Sequence, residues 1–586
     1  MTEKEKKNAD IAKAMRDMGF LTEIEDTGNN AQFKARAYYK AADTIGSLTE
    51  NIAQIYSSQG IIGLLKIPSI GKAIASKIEE YIQTGKIQHL EELKAMFPIN
   101  IDELYGIEGI GPKTIRLIYD KLQIKNLAEL EKAAIQGKLH SLPSFTEKKE
   151  QDILKRIDFF KRGKGRHVLG EVYPLAKRIE ERLEKIEGVK KAVIAGSLRR
   201  MQETIGDIDY LVSADDPEKV MEFFIKMPEI DKILGRGPAK AFVRLAGGID
   251  ADLLVVPIES WGSALQYFTG SKEHSIKLRK IAISKGLRLN EWGIFNGDRR
   301  VVGATEEEIY HSLGLEWIPP EMRENTGEIE LAEQNKLPEI IEYGSLKGDL
   351  QVHSENSDGT ATIEEMARGA KAFGLEYIAI TDHTKSLALA GGLDEYQLLD
   401  QTNKIAELND KLIEEDNGKK GMRVLSSAEV NIMKDGSLDI SDNVLDKLDI
   451  VGAAIHSYFN LPIETQTQRL VTAAQNPSVD IIFHPTGRLI NKREGYPVGI
   501  EKLIDVALDT DTVLEIDAHY NRLDLKDEYI RTAVRKGAKL IIDSDAHHPV
   551  HYAFLMFGIA QARRGWAKPS DVLNTLPADE MLRRLK

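Results

Sequence analysis

Apolar positions along residues 5–160 recur at the three-to-four spacing of amphipathic helices, interrupted by Gly- and Pro-containing turns. That pattern predicts a helical N-terminal third. From about residue 190 the spacing changes to short strand-like runs, "KAVIAGS", "DIDYLVS" and "DADLLVVP". A charged stretch near 321–340, "EMRENTGEIELAEQNKLPEI", interrupts the pattern and predicts a linker. Beyond it lie seven apolar runs separated by helix-length spacers: "KGDLQVHS", "EYIAITDH", "RVLSSAEVNI", "DIVGAAIHS", "VDIIFHP", "TVLEIDAHY" and "KLIIDSDAH". Strands alternating with helices in this way predict a parallel α/β barrel. A chain of 586 residues is too long for one core, so several domains are expected.

Charge changes this picture. The formal net charge of −13 argues against a nucleic-acid partner only as an average. Lys and Arg outnumber Asp and Glu over residues 1–300, with a concentration at "KRGKGR" and "GSLRR", and the balance reverses afterwards. A local basic surface is what phosphate binding requires. Eight of the 13 histidines follow residue 350. Cysteine is absent, which excludes disulfides, thiolate metal sites and a cysteine nucleophile. The charged N-terminal residues lack the apolar core of a signal peptide, and no window resembles a membrane span. A cytoplasmic protein, with no membrane contact and no dimerisation heptad, is the expectation; it would act as a monomer.

Two segments repeat one another. "IPSIGKAIASKI" (67–78) and "IEGIGPKTIRLI" (107–118) share apolar-x-x-apolar-Gly followed by an amphipathic helix. This pattern resembles a helix-hairpin-helix motif, present twice. Gly71, Gly109 and Gly111 would let a nucleic-acid strand approach, with the next helix directing free N–H groups at phosphate and Lys72 and Lys113 adding charge. Such contacts position a backbone without reading its sequence. A glycine-terminated hairpin inside a core would give a single copy of the pattern; two copies favour a common ligand.

"AGSLRRMQETIGDIDYLV" (195–212) holds the densest chemistry. Asp207 and Asp209 sit one residue apart on a strand and project from one face. Like charges held together there call for a cation. Gly196 and Ser197 form a turn suited to phosphate oxygens, and Arg199 and Arg200 offer guanidinium contacts. A third carboxylate arrives with "DADLLVVP". Three carboxylates around two divalent ions suit in-line phosphoryl transfer.

Together, "FKARAYYKAADTI", the two glycine turns, "GSLRR…GDIDYLV" and "YFTGSKEHSIKLR" resemble a family X DNA polymerase, the group that includes DNA polymerase β. The resemblance covers residues 1 to about 325. It implies that Asp207, Asp209 and Asp252 are the catalytic, metal-binding carboxylates, Asp252 being preferred to Asp250 by its distance to Pro257 and "YFTGS". It also implies nucleotide binding by Gly196, Ser197, Arg200, Gly206, Tyr267, Phe268 and Gly270, with Mg2+ (or Mn2+) as the ion. Leu254 stands where the family often has an arginine, and Lys272 and Ser275 replace base-pair-contacting residues of the β enzyme. Lys77 falls at its lyase lysine, near Lys34 and Tyr38; the alternative is an ordinary surface lysine.

In the last domain ligand-type residues follow strand after strand: His353, His383, Glu429, His456, His484, and Asp545 with His547, joined by Asp358 from a loop. Active sites of parallel barrels collect at that end. Mixed imidazole and carboxylate donors suit Mn2+ or Zn2+ better than Mg2+. This region resembles the polymerase-and-histidinol-phosphatase (PHP) domain, which implies metal-dependent 3'-5' exonuclease action and, in some members, cleavage at abasic sites. The PHP pattern Asp-Leu-His-x-His reads here Asp349-Leu350-Gln351-Val352-His353. A carboxamide is a weaker ligand than imidazole, so a weakened nuclease is favoured over a purely structural barrel. His519 in "IDAHY" is an unusual extra histidine.

The implied architecture is multidomain. It comprises α-helical N-terminal helix-hairpin-helix domains (1–88 and 89–162), an α+β nucleotidyltransferase palm (163–260) and thumb (261–325), a linker (326–345) and a C-terminal (β/α)7 barrel (346–586). The implied function is template-directed, gap-filling DNA repair synthesis from dNTPs on gapped or primer-template DNA. The alternatives are a polymerase with a non-catalytic barrel, a small-metabolite phosphatase, a DNA-end scaffold and a template-independent transferase.

Overall fold

The computed structural model describes residues 8–25, 29–48, 51–105, 107, 110–143, 145–163, 165–415 and 421–585. The chain forms two compact units, residues 1–164 with 491–494, and residues 165–490 with 495–586. In the first unit, helices including Asn8–Glu25, Asn29–Ser47, Ile52–Leu65, Lys72–Thr84, Pro112–Leu122 and Glu147–Gly163 enclose one apolar core. The two glycine turns match at their described positions. Ile67 and Ile70 in one, and Ile107 and Ile110 in the other, are buried and anchor the turn. Gly71 (φ −78°, ψ 171°) and Gly111 (φ −77°, ψ 174°) then start the next helix without a side-chain cap.

The second unit opens with a five-stranded sheet. Its strands are β1 (Val189–Ile194), β2 (Asp207–Ala214), β3 (Ile230–Arg236), β4 (Lys240–Leu245) and β5 (Asp250–Val255), in the spatial order β1-β2-β5-β4-β3. Only β2 and β5 run parallel. Alternation along β2 divides its side chains. Ile208, Tyr210 and Val212 bury against helices Leu169–Glu184 and Pro217–Ile225. Leu211 meets helix Trp261–Thr269 on the opposite face, which is therefore also the face of Asp207 and Asp209.

The segment expected to be a linker is built into the core. Helix Glu328–Glu333 buries Ile329 and Ala332 with Leu278, Ile309 and Leu313. Its charge is used internally: the buried Glu328 accepts from the amides of Asn325 and Thr326 and pairs with His274 at 2.7 Å.

Seven parallel strands follow in sequential order: β6 (Gly348–Val352), β7 (Tyr377–Ile380), β8 (Arg423–Asn431), β9 (Ile450–Ala454), β10 (Ile481–Ile482), β11 (Val513–Asp517) and β12 (Leu540–Asp543). They form the expected barrel, nearly closed. Just past β12, Ala546 accepts from the His353 amide at 2.8 Å and donates to the Gln351 carbonyl at 3.2 Å, bringing the first and last strands together. The barrel shares a core with the five-stranded sheet's helices: Phe557 meets Tyr173 edge-on at 5.8 Å. A Cβ on Gly170 would stand 2.3 Å from that of Tyr520.

Candidate active sites and their relatives

In the palm, parallel register places Asp209 opposite Asp252 and Asp207 opposite Asp250. Burial, then Asp207 and Asp252, push the Asp209 carboxyl up to about 7. Asp252 is likewise raised, by burial and then Asp207 and Asp250, with Lys240 opposing. Asp250 is instead neutralised by Arg244, which donates at 2.7 and 2.9 Å. Asp252 is held in no such fork; the cation nearest to it is Lys240, with Nζ at 3.9 Å. Gly196 is required twice over. Its φ is 62°, and a Cβ there would lie 2.0 Å from Asp209 Oδ2. Ser197, half-buried, follows in the short helix Gly196–Arg199.

The two adjacent arginines have different environments. Arg199 forms a fork on Glu306 (2.8 and 2.8 Å) and reaches Thr269 Oγ1 at 2.6 Å. Glu306 is also forked by the fully buried Arg323. Burial alone would raise Glu306, yet the two guanidinium groups hold it far below the usual carboxylate range. Arg199 is therefore a structural cation, contrary to its expected role as a free phosphate contact. Arg200 donates to the Thr269 carbonyl and, through Nε, to Glu324 at 3.1 Å. Gly270, with φ 72°, leaves room for that guanidinium, which would stand 3.0 Å from a Cβ. Tyr267 and Phe268 pack edge-on at 5.2 Å, and Gly206 lies beside Arg166. Lys240, which sequence reasoning missed, pairs across β4–β5 with Leu254 and holds Nζ 3.9 Å from Asp252. A cation therefore comes from the neighbouring strand, and only the strand order reveals it.

In the N-terminal unit, Gly71 and Gly111 are exposed and a Cβ on either would meet nothing within 4 Å. Neither φ nor packing within the protein demands glycine there. Lys72 and Lys113 are exposed in the first turn of their helices. Gly109 lies outside the described residues. Lys77 is half-buried on helix Lys72–Thr84, Lys34 is exposed, and Tyr38 is half-buried with its hydroxyl pKa raised by burial.

At the C-terminal ends of the barrel strands the histidines and carboxylates converge. Ligand-type atoms of His353, Asp358, His383 and His547 lie within 4.8 Å of one another, as do those of His383, Glu429 and His456. Glu429 joins the halves: Oε1 lies 2.7 Å from His484 Nε2 and 3.0 Å from His456 Nε2, and Oε2 lies 3.2 Å from His383 Nδ1. His353 Nε2 lies 3.2 Å from Asp545. Burial would raise Glu429, but His383 and His456 hold it well below the ordinary range. Burial would lower His547, but Asp358 and Asp545 raise it to about 10. His484 (φ 28°) and Asp545 (φ 52°) adopt left-handed backbone without being glycine, a strain that collects at functional sites.

Several buried nitrogens and oxygens here, among them both ring nitrogens of His353, His383 Nδ1, His456 Nε2 and Glu429 Oε2, have no aligned hydrogen-bond partner. Orphaned donors of mixed N and O chemistry fit a divalent transition ion. Gln351 is fully buried, and neither atom of its carboxamide is hydrogen bonded. Asn431, two residues beyond Glu429 on β8, was also missed. Its Oδ1 faces His456 Nδ1 at 2.8 Å while its Nδ2 donates to Thr384 and Asp439, so His456 keeps Nε2 free for a ligand. Arg522 was missed too; its Nε lies 3.3 Å from Asp517 and 3.4 Å from Asp545. His519, by contrast, stacks on Tyr520.

Four family models match: a helix-hairpin-helix domain at residues 6–87, a SAM-like helix-hairpin-helix tandem at 61–123 and 101–158, a DNA polymerase beta thumb at 264–324 and a PHP domain at 349–486. The DNA polymerase/3'-5' exonuclease PolX of Bacillus subtilis (strain 168) is 36% identical over 569 residues, spanning 96% of this chain and 97% of the relative. DNA polymerase lambda of Arabidopsis thaliana is 26% identical over 328 residues, 49% of this chain and 57% of its own. A probable phosphatase of Thermoanaerobacter sp. (strain X514) is 31% identical over 210 residues, 34% of this chain and 78% of its own.

Proposed function

The chain belongs to the family of the DNA polymerase/3'-5' exonuclease PolX, and on that premise we propose that it fills short gaps during cytoplasmic DNA repair and trims 3' ends with its barrel. The observation that carries the synthetic half is the register of Asp209 with Asp252 beside Asp207, on a face where Gly196 makes room for the Asp209 carboxylate. Asp207, Asp209 and Asp252 would hold two Mg2+ (or Mn2+) ions, which supply activation of the primer 3'-oxygen and neutralise the departing pyrophosphate. The Gly196–Ser197 turn and Arg200 bind the triphosphate of the incoming dNTP. Tyr267, Phe268 and Gly270 line its sugar. Gly71 and Gly111 give the DNA backbone the open approach that their unfilled Cβ positions support. Lys77 acts at abasic ends as a Schiff-base nucleophile, which borohydride trapping on Lys77→Ala tests.

In the barrel, His353, Asp358, His383, Glu429, His456, His484, Asp545 and His547 would hold Mn2+ or Zn2+ ions, which supply activation of water for phosphodiester hydrolysis, at abasic sites as well as at 3' ends. Asn431 sets the tautomer of His456. The unpaired Gln351 carboxamide supports a neutral oxygen donor where PHP relatives have imidazole, so activity is weakened and not abolished. The likeness to a probable phosphatase favours a second reading for this half, hydrolysis of phosphate monoesters.

One labelled recessed primer–template tests both halves. With Mn2+ and no dNTP, the wild type and Asp207→Ala shorten the primer and His484→Ala does not; with dNTPs, only Asp207→Ala fails to extend. A primer bearing a 3'-phosphate that loses only that group identifies the monoester reading. No shortening by any variant, at a protein level that extends primers, refutes the nuclease.

A further inference from the structure

Arg564 ends the barrel helix Leu555–Arg564, yet its guanidinium lies against Arg200 of the palm. Only 7% of its side chain is exposed. Nη1 donates to the Arg200 carbonyl at 3.0 Å and to Glu324 Oε1 at 3.1 Å, while Nη2 donates to Asp527 at 2.6 Å. The same Glu324 oxygen accepts from Arg200 Nε and from Gln202. Arg200 Nη1 is directed to the Thr269 carbonyl beside Gly270. One carboxylate oxygen thus takes three donors, and two like-charged guanidinium groups stand side by side because Glu324 and Asp527 lie between and beyond them. A planar fork can hold a carbonyl and two carboxylates together; an ammonium is a point charge and cannot.

We propose that Arg564 is a positioning residue for nucleotide binding, fixing from the barrel the backbone and the carboxylate that aim Arg200 at the triphosphate. The proposal rests on the reading of Arg200 as a triphosphate contact. Without Arg564, Glu324 keeps Gln202 but has Arg200 as its remaining cation and withholds it from phosphate, and the Arg200 carbonyl loses its buried donor. Nucleotide affinity then depends on a side chain outside the polymerase region, while the chemical step does not.

The test uses the full chain in primer extension with a dNTP titration, on wild type, Arg200→Ala, Arg564→Ala and Arg564→Lys, with melting temperature and exonuclease rate measured alongside. Arg564→Ala is expected to raise the dNTP KM roughly ten-fold, the scale of one lost charge-assisted hydrogen bond. Its kcat and nuclease rate stay near wild type, and Arg564→Lys restores part of the loss. If Arg200→Ala leaves KM unchanged, the premise fails and the proposal with it. If Arg200→Ala raises KM while a normally folded Arg564→Ala does not, the proposal alone is overturned. Should Arg564→Ala melt early, Arg564→Lys, which keeps the charge but cannot make all three contacts, takes its place; a wild-type KM there overturns the proposal equally.

Discussion

The palm and the barrel both gather acids for a cation, and they solve the resulting repulsion differently. In the palm, three carboxylates share one face of a sheet with Lys240 on the neighbouring strand, and the imbalance appears as an Asp209 pushed up to about 7 by burial and its neighbours. In the barrel, acids alternate with imidazoles. Glu429 and Asp545 stay well below the ordinary range despite burial, and among the clustered histidines and acids the raised groups are imidazoles, His383 and His547, the latter at about 10. An ion binding at these sites would compete with a proton chiefly on a carboxylate in the palm and on ring nitrogens in the barrel cluster.

The largest test of this contrast is Asp209→Asn. It removes the raised carboxyl and is expected to lower primer extension by more than ~100-fold while leaving exonuclease action and bound barrel metal unchanged, read by extension gels and elemental analysis. Glu306→Gln comes next: it leaves two guanidinium groups around one neutral amide, and thermal melting should report a loss of roughly 3–5 kcal/mol. Asn431→Ala sharpens the barrel side. Freed of its partner, His456 loses its fixed tautomer, and metal affinity measured by chelator competition should fall ~10–100-fold with extension untouched. The pH arm follows from sign. As pH drops below about 7, Asp209 takes up a proton, so the Mg2+ needed for half-maximal extension rises. A flat metal requirement between pH 8 and 6 would contradict the assignment. The smallest effect belongs to Gly111→Ala: the fold tolerates it, at about 1 kcal/mol or less for a cap position, and DNA affinity should weaken without a change in kcat.

The parts legible in the sequence are those whose chemistry obeys a local period. Asp207 and Asp209 declare their shared face through spacing alone, and the barrel ligands do so by following one strand after another. What stayed hidden depends on neighbours far along the chain. Lys240 becomes relevant only because β4 pairs with β5 and sets it opposite Leu254. Arg199 looks identical to Arg200 until Glu306, more than a hundred positions away, arrives beside it. The run 326–345 reads as a connector because it is rich in charge, yet Glu328 is enclosed by His274 and two backbone amides. Local charge cannot reveal whether its partner is water.

The Tyr173–Phe557 contact and the close seat of Tyr520 on Gly170 have one last consequence, for traffic. Palm and barrel share a common interior within one compact unit. On the proposed function, a primer end to be trimmed would have to leave one bench and land on the next. Editing would then compete with outright departure of the DNA, and an excess of unlabelled DNA trap should suppress it even when a single enzyme molecule carries both tools.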